Sequence, residues 1–265
     1  MEAILIDGRA IADQVLIGLA EQVRALSVPL QLAAVCAGDD DGLKTFVRLK
    51  QKAAHSIGLQ FSSYFFDADQ ESQAREAISY LASDDEVQGI FVELPLPSSW
   101  DASALTKLIP SEKDVDVLAR GDLLPPSVRA LQYIIDAHAI PVLGVRCAVV
   151  GAGALVGQPI AQWLSKQGAQ VEVMDISTTD PALKSCQADI VIAATGVPGL
   201  ITDAWIKEGA TVIDFGYGKK GDAYVGDVDF DSVSKKAGLL TPVPGGMGPL
   251  VVAAVLENLL LLATR

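Results

Sequence analysis

Strand-like and helix-like segments alternate along all 265 residues of this sequence, and the alternation predicts an α/β fold built on parallel strands. A glycine loop at residues 151–157 follows one predicted strand and opens a predicted helix, which indicates a second α/β unit in the C-terminal half. Half of the residues are hydrophobic, so the chain has enough apolar material for two cores. We therefore predict two α/β domains.

The N-terminal half contains three strand-like runs separated by helix-forming sequence. Helices are predicted over residues 10–26, 44–57 and 71–83, and strands over residues 31–36, 60–66 and 89–93. The last of these strands enters the turn Leu94-Pro-Leu-Pro97. Because strands linked through helices run parallel, we expect a parallel sheet with helices on both faces.

The C-terminal half repeats the pattern. Helices are predicted over residues 130–138, 158–167 and 250–263, with a further helix-forming run that ends at Cys186. Strands are predicted over residues 145–150, 171–174, 190–194 and 211–215. Four parallel strands in this setting are typical of a Rossmann-like nucleotide-binding domain.

Composition limits the classes of partner. The formal net charge of −13 argues against nucleic acid, whose phosphates require a basic surface. The apolar run at residues 259–263 is far too short to span a bilayer, and the N-terminus has acidic residues where a secretory signal would have basic ones. We therefore expect a soluble cytoplasmic protein that takes a small-molecule substrate and binds neither nucleic acid nor membrane.

The sequence offers no metal site. Cys36, Cys147 and Cys186 lie in apolar strand-like runs or beside a helix, so they are predicted to be small buried hydrophobic residues. His55 and His138 are far apart in the chain, which gives little support for a metal centre or a Ser-His-Asp arrangement.

A proline- and glycine-rich segment near the C-terminus predicts a rigid loop that contacts a ligand. Its sequence is Thr241-Pro-Val-Pro-Gly-Gly-Met-Gly-Pro249. Prolines fix φ and glycines permit unusual backbone conformations, so the segment exposes backbone groups that a flat ligand can approach closely. The alternative is an ordinary connecting turn.

The loop Gly151-Ala-Gly-Ala-Leu-Val-Gly157 has the context of a dinucleotide fingerprint, although its spacing is one residue longer than usual. Gly151 would permit the turn and Gly153 a close backbone approach, while the following helix would offer its N–H groups to a phosphate. The predicted cofactor-binding residues here are Gly151, Ala152, Gly153, Val156 and Gly157. The alternative is a tight turn that binds no ligand.

Asp175 ends the second strand of this half, about twenty residues beyond the glycines. A carboxylate at this position accepts hydrogen bonds from ribose hydroxyls and repels a 2′-phosphate, which favours NAD over NADP as the cofactor. The alternative is a solvated acid at a strand end.

Several blocks of sequence together resemble the methylenetetrahydrofolate dehydrogenase/cyclohydrolase family, and they occur in the order that the family has. Besides the 241–249 segment they are Ile6-Asp-Gly8, Gly89-Ile-Phe-Val-Glu-Leu-Pro-Leu-Pro97, Lys113-Asp-Val-Asp116, Val149-Val-Gly-Ala-Gly-Ala-Leu-Val-Gly-Gln-Pro159, Ala194-Thr-Gly196 and Gly226-Asp-Val228.

The resemblance implies an organisation as well as an activity. Residues 1–125 would form the catalytic domain, completed by the C-terminal helix at 250–265, and residues 126–249 would form the NAD(P)-binding domain. It implies a cleft between the domains and a homodimer formed through the nucleotide domain. It also implies that Thr195 and Gly196 contact the cofactor. The residues that it places against a tetrahydrofolate derivative are Phe46, Leu94, Pro95, Pro244, Gly245 and Gly246.

The catalytic residues that the resemblance implies are Lys50, Asp116 and the residue at position 93. The family has a tyrosine where this chain has Phe46, and a glutamine where it has Glu93. Asp116 would accept hydrogen bonds from the N–H groups of a pterin ring. If Glu93 lies beside Lys50, it favours the charged ammonium form and makes the lysine a poorer base.

Hydride transfer requires alignment more than acid–base chemistry, whereas hydrolysis of the methenyl cation requires proton transfer. We therefore expect dehydrogenase activity to be retained and cyclohydrolase activity to be weakened. Phe46 and Glu93 leave open a non-catalytic paralogue that binds folate or nucleotide. A shikimate-type dehydrogenase is disfavoured by the Leu-Pro-Leu-Pro and Lys-Asp-Val-Asp blocks.

Overall fold

The computed structural model describes residues 2–38, 41–118, 123–221 and 223–265. The described residues divide into two compact units. Residues 2–12 and Ser127–Val251 form the six-stranded unit, and Asp13–Pro126 with Val252–Arg265 form the three-stranded unit. The predicted α/β class is confirmed.

The described part of the chain contains these helices and strands. The helices are α1 (Gly8–Arg24), α2 (Asp41–Ser56), α3 (Glu71–Ser83), α4 (Ala102–Thr106), α5 (Pro126–His138), α6 (Gly157–Lys166), α7 (Pro181–Ser185), α8 (Phe230–Val233) and α9 (Met247–Ala263), with a short 3₁₀ turn at Asp203–Trp205. The strands are β1 (Ile4–Leu5), β2 (Gln31–Ala37), β3 (Gln60–Phe66), β4 (Gly89–Val92), β5 (Arg146–Val150), β6 (Gln170–Met174), β7 (Ile190–Ala193), β8 (Thr211–Asp214), β9 (Gly218–Lys220), β10 (Ala223–Val225) and β11 (Leu239–Leu240).

The three-stranded unit has a parallel sheet in the order β3-β2-β4. Its central strand β2 is buried on both faces, because side chains alternate along a strand and helices cover each side. Ala34 and Cys36 pack in the core that includes residues of α2 and α9, whereas Ala33 and Val35 pack in the core that includes residues of α3. This double burial explains why β2 is apolar at successive positions.

The close approach of α9 to this sheet requires a glycine on β4. A Cβ at Gly89 would lie 2.5 Å from a methyl carbon of Leu259 and 2.8 Å from one of Val115. Helix α9 is apolar around most of its circumference, and Leu256 and Leu259 are fully buried. Residues 252–265 therefore belong with the three-stranded unit.

The six-stranded unit has a parallel sheet in the order β1-β11-β8-β7-β5-β6. The four predicted strands are present, but β1 and β11 were not predicted, because two-residue strands are too short to produce a periodic pattern. Strand β1 pairs with β11 through Ile4 and Leu5. Residues 2–12 therefore pack with this unit, whereas the sequence analysis assigned them to the first domain.

Two further predictions concern solvent exposure and membranes. Cys36 and Cys147 are buried as predicted, but Cys186 is half-buried at the end of α7, because the five-residue helix leaves one side open. Within the described residues, no helix is both long enough and apolar enough to cross a membrane.

Candidate active site

A buried ion pair joins helix α2 to the end of strand β4. Lys50 donates from Nζ to Oε2 of Glu93 over 2.6 Å. Both residues are buried, with exposed fractions of 7% and 8%, and the ammonium lies 4.3 Å from the centre of the Phe91 ring. A buried ammonium requires a compensating anion, and an aromatic face adds a further attraction. The structure thus brings two sequence-predicted site residues into direct contact.

Asp116 belongs to the same electrostatic cluster. Burial raises the pKa of Asp116 to about 7; the charge of Lys50 opposes this shift, whereas the charges of Glu93 and Asp114 reinforce it. The residue as a whole is half-buried. The following residue, Val117, has a φ of 57°, a conformation that is strained for a β-branched side chain.

Lys113 supports the segment that carries Asp116. Its Nζ donates to the carbonyl oxygens of Leu81 and Asp84, over 3.3 and 2.6 Å, at the C-terminal end of α3. A lysine is favourable there because the last carbonyls of a helix carry partial negative charge. The lysine of the Lys-Asp-Val-Asp block therefore has a structural contact of its own.

Asn258 supports the same segment from helix α9, and the sequence analysis missed it. The residue is fully buried, and its Nδ2 donates to the carbonyl oxygens of Val115 and Leu124, over 2.9 and 3.0 Å. An amide next to Glu257 between two apolar runs of this helix is a signal that could have revealed it, because a buried polar group requires partners.

The remaining predicted residues of this unit differ in exposure. Phe46 lies one helical turn before Lys50 and is half-buried; Leu94 is half-buried and Pro95 is exposed, after a cis peptide bond. Cys36 is fully buried, and burial raises the pKa of its thiol to about 12, reinforced by the charge of Glu93 and opposed by that of Lys50. The thiol therefore stays protonated beside the ion pair.

The proline- and glycine-rich segment belongs to the six-stranded unit, so the structure does not group Pro244, Gly245 and Gly246 with Lys50 in one compact unit. The carbonyl oxygen of Gly245 accepts a hydrogen bond from the N–H of Arg9 at 3.1 Å. A Cβ at Gly8 would overlap the carbonyl of Gly246. The Ile6-Asp-Gly8 block thus packs directly against this loop.

The glycine loop after β5 is closely packed at two of its glycines and open at the third. A Cβ at Gly151, whose φ is 109°, would overlap the carbonyl of Ala194, and one at Gly157 would overlap the carbonyl of Gly151. A Cβ at Gly153 would meet nothing within 4 Å. The loop therefore requires glycine for its own packing at 151 and 157, and exposes backbone at 153.

The start of α6 lies directly after the glycine loop and is the second feature of the predicted nucleotide site. Val156 precedes the helix and offers no side-chain hydrogen bond to its first turn, and Ala152 and Val156 are half-buried. Thr195 and Gly196 follow β7, the strand beside β5, and so lie at the same edge of the sheet. N–H groups at an uncapped helix start and loops at the carboxyl ends of parallel strands form the usual place for a dinucleotide phosphate.

Asp175 directly follows β6, on the other side of β5. Its Oδ1 accepts hydrogen bonds from the backbone N and Oγ of Ser177, at 2.9 and 2.7 Å, and from Oγ1 of Thr178 at 3.3 Å. These bonds, led by that from the Ser177 hydroxyl, hold the pKa of Asp175 below its ordinary value. The carboxylate is therefore negatively charged at neutral pH.

Two parallel α/β units, one with a glycine loop at the carboxyl ends of its central strands and one with a buried lysine–carboxylate cluster, define a two-domain protein with a Rossmann-like half. Residues 6–116 match the family model of the tetrahydrofolate dehydrogenase/cyclohydrolase catalytic domain, and residues 125–265 match that of the tetrahydrofolate dehydrogenase/cyclohydrolase NAD(P)-binding domain. The chain belongs to the tetrahydrofolate dehydrogenase/cyclohydrolase family.

Individual relatives agree with this assignment. The chain is 36% identical to the bifunctional protein FolD of Hydrogenobaculum, over 97% of each chain. It is similar to the crystal structure of the FolD methylenetetrahydrofolate dehydrogenase/cyclohydrolase from Campylobacter jejuni, with a TM-score of 0.93 and 33% identity over 99% of each chain. The structure of the Trypanosoma brucei enzyme, complexed with NADP and an inhibitor, gives a TM-score of 0.94 at 33% identity over 100% of this chain and 98% of that one.

Proposed function

We propose that this protein oxidises 5,10-methylenetetrahydrofolate to 5,10-methenyltetrahydrofolate with NAD or NADP, and that it hydrolyses the product to 10-formyltetrahydrofolate only weakly, as part of one-carbon metabolism. Membership of the family across both domains supports the reaction class. The single observation that supports weak hydrolysis is the 2.6 Å hydrogen bond between Lys50 and Glu93.

The roles that we propose follow from charge and position. Asp116 binds the N–H groups of the pterin ring through its carboxylate, and Lys50 aligns the one-carbon unit from the adjacent helix. Leu94 and Pro95, with Pro244, Gly245 and Gly246, contact the substrate. Phe46 supplies an apolar surface one helical turn from Lys50 but no hydroxyl that could relay a proton.

The weakness of hydrolysis follows from the ion pair. Hydrolysis of a methenyl cation requires a group that accepts a proton from water, and an ammonium has no lone pair with which to accept one. Glu93 engages the Lys50 ammonium in an ion pair, in a buried position where an uncompensated charge would be costly. Hydride transfer needs no proton transfer from Lys50, so we expect it to persist.

The six-stranded unit has groups that fit a dinucleotide: the open backbone at Gly153, the start of α6, which has no side-chain cap, and the ionised Asp175 as an acceptor. A bound nicotinamide would accept the hydride. We propose that Gly151, Ala152, Gly153, Val156 and Gly157 hold the diphosphate, that Thr195 and Gly196 contact the nicotinamide half, and that Asp175 binds the adenosine ribose. Because a carboxylate repels a 2′-phosphate, we propose NAD as the preferred cofactor.

We also propose a homodimer formed through this unit. Strand β6 is at the end of the sheet order, and its apolar Val173 and the adjacent Ile176 are exposed. An exposed apolar edge strand favours pairing with another chain. Sedimentation of the purified protein tests this proposal, and a monomer at all concentrations would contradict it.

The decisive experiment supplies the purified protein with methylenetetrahydrofolate and either NAD or NADP, and measures the reduced cofactor. We expect reduction of both, with the larger kcat/KM for NAD. In parallel, methenyltetrahydrofolate is supplied without cofactor, and its decay is compared with the uncatalysed decay. Rapid enzyme-dependent hydrolysis would contradict the proposal that cyclohydrolase activity is weak. If neither NAD nor NADP is reduced, the result favours the non-catalytic paralogue.

A further inference from the structure

Two buried acids lie at the carboxyl-terminal edge of the six-stranded sheet. Asp214 is the last residue of β8, and Asp227 follows the β9–β10 hairpin. Their exposed fractions are 2% and 1%. A buried carboxylate requires hydrogen-bond donors, and both obtain them from backbone N–H groups.

Asp227 holds the segment that follows β7. Its Oδ2 accepts hydrogen bonds from the backbone N–H groups of Thr195 and Gly196, at 2.5 and 3.0 Å. Gly196 has a φ of 70°, so the backbone turns sharply at the point where the two N–H groups converge. A single carboxyl oxygen that accepts two backbone hydrogen bonds fixes both peptide groups at once.

Asp214 holds Asp227 in turn. Its Oδ1 accepts from the backbone N of Asp227 at 3.1 Å and of Gly216 at 2.7 Å, and its Oδ2 accepts from the backbone N of Val228 at 3.0 Å. The backbone N of Asp214 donates to Oγ1 of Thr241 at 2.7 Å. The network thus connects the first residue of the proline- and glycine-rich segment with the segment after β7.

The network also explains two glycines. A Cβ at Gly226 would overlap Oδ2 of Asp214, and a Cβ at Gly216 would overlap the Asp227 carboxylate. The two glycines therefore leave room for the carboxylates of Asp214 and Asp227 to reach the backbone groups that they bind. The family resemblance gave the Gly226-Asp-Val228 block no role.

We infer that Asp227 is a positioning residue of the nucleotide site: its buried carboxylate sets the backbone of Thr195 and Gly196 for contact with the nicotinamide half of the dinucleotide, and Asp214 orients Asp227. This inference rests on the proposed function. It concerns a residue that need not touch the dinucleotide, since it acts through the two N–H groups that it binds.

The experiment compares Asp227→Ala and Asp227→Asn with the wild type. The asparagine keeps an acceptor oxygen, whereas the alanine leaves both N–H groups without an acceptor. We expect the KM for the dinucleotide, and the dissociation constant of the reduced dinucleotide measured by fluorescence, to rise about tenfold or more in the alanine variant. We expect a rise of about threefold in the asparagine variant, with kcat and the KM for folate little changed in both.

Asp229→Ala is the matched control. Asp229 is three residues from Ser232 at the start of α8 and accepts its N–H at 3.0 Å, so its loss removes a helix cap in the same unit. We expect a lower unfolding temperature and an unchanged dissociation constant for the dinucleotide. A merely structural role of Asp227 would give this same result.

The outcomes separate the two proposals. A wild type that neither oxidises methylenetetrahydrofolate nor binds a dinucleotide overturns the proposed function and this inference with it. An active wild type whose Asp227→Ala variant binds the dinucleotide equally well overturns the inference alone. If the alanine variant does not fold, an Asp227→Asn variant with unchanged dinucleotide affinity overturns it as well.

Discussion

Glu93 occupies the position at which the family has a glutamine, and its carboxylate lies 2.6 Å from the ammonium of Lys50. The difference between a carboxylate and an amide at this position changes the charge beside Lys50, the α2 side chain that we propose aligns the one-carbon unit. Buried charges act strongly on one another because little water screens them. The chemistry of Lys50 is therefore set by the residue opposite it as much as by the lysine itself.

The first prediction is that Glu93→Gln raises the cyclohydrolase rate by about tenfold, because a neutral amide no longer holds Lys50 in an ion pair. The dehydrogenase rate should change little. Hydrolysis of methenyltetrahydrofolate by the purified variant measures the effect. The double variant Glu93→Gln/Lys50→Met serves as its control, and a gain that persists without the lysine would contradict the mechanism.

The second prediction concerns pH. The pKa of Asp116 is raised to about 7, so the carboxyl group is neutral below this pH and ionised above it. If the ionised form binds the pterin N–H groups, kcat/KM for methylenetetrahydrofolate rises as pH increases through about 7, since kcat/KM reports groups of the free enzyme. Asp116→Asn should lower kcat/KM and remove this inflection. An inflection that survives in the variant would assign it to another group.

At the scale of elements, helix α9 combines two functions. Its apolar residues fill the core against β4, and Asn258 fixes the loop that carries Asp116. Helix α2 likewise contributes Val47 to the core while placing Lys50 at the ion pair. Site residues placed on packed helices are held more rigidly than residues on free loops.

The third prediction is that Asn258→Leu destabilises the protein by about 2–4 kcal/mol, because two buried carbonyl oxygens lose their donor. We also expect kcat/KM of the dehydrogenase to fall about tenfold at temperatures where the variant is folded, since Asp116 loses its alignment. Thr264→Ala is the control: Thr264 directly follows α9 and donates from Oγ1 to the carbonyl of Leu260, in the last turns of that helix, at 2.9 Å. Chemical denaturation and steady-state kinetics measure both quantities. If the Asn258 variant is destabilised but its kinetics are unaltered, Asn258 contributes to stability and not to the alignment of Asp116.

At the scale of the whole molecule, some acids have raised pKa values and others have lowered ones, and the two groups change the stability of the fold with pH in opposite directions. Burial raises the pKa of Asp116 to about 7 and that of Asp214 to about 6, from an ordinary value of 3.8. Hydrogen bonds hold the pKa of the exposed Asp175 and of the half-buried Asp229 below that value. The formal net charge of −13 adds repulsion as the acids ionise.

The fourth prediction follows from the signs. An acid with a raised pKa holds its proton longer in the folded state, so its stabilising contribution is complete below about pH 4 and is lost as pH rises through about 6 to 7. An acid with a lowered pKa stabilises above about pH 4 and loses that contribution as pH falls. We therefore expect the unfolding temperature to be highest near pH 5 and to decline towards pH 8.

Thermal unfolding followed by circular dichroism across this range measures the profile. High salt provides the control, because it screens the repulsion among surface charges much more than the burial of Asp116 and Asp214. A decline that disappears in salt would assign it to net charge, and an unfolding temperature that rises steadily to pH 8 would contradict the prediction.

The sequence by itself determined the α/β class, the family, and the strands and helices of both halves except the short elements β1, β9, β10, β11, α4 and α8. Elements of seven or more residues, such as β3 and α3, leave a periodic pattern, and the Lys113–Asp116 and Gly151–Gly157 blocks carry their own chemistry. Only the tertiary structure decided that residues 2–12 join the six-stranded unit, that Lys50 contacts Glu93, and that Asn258, Asp214 and Asp227 hold the loops. These contacts link residues far apart in the chain, and a hydrogen bond or ion pair depends on distances in space that neighbouring residues along the sequence do not encode.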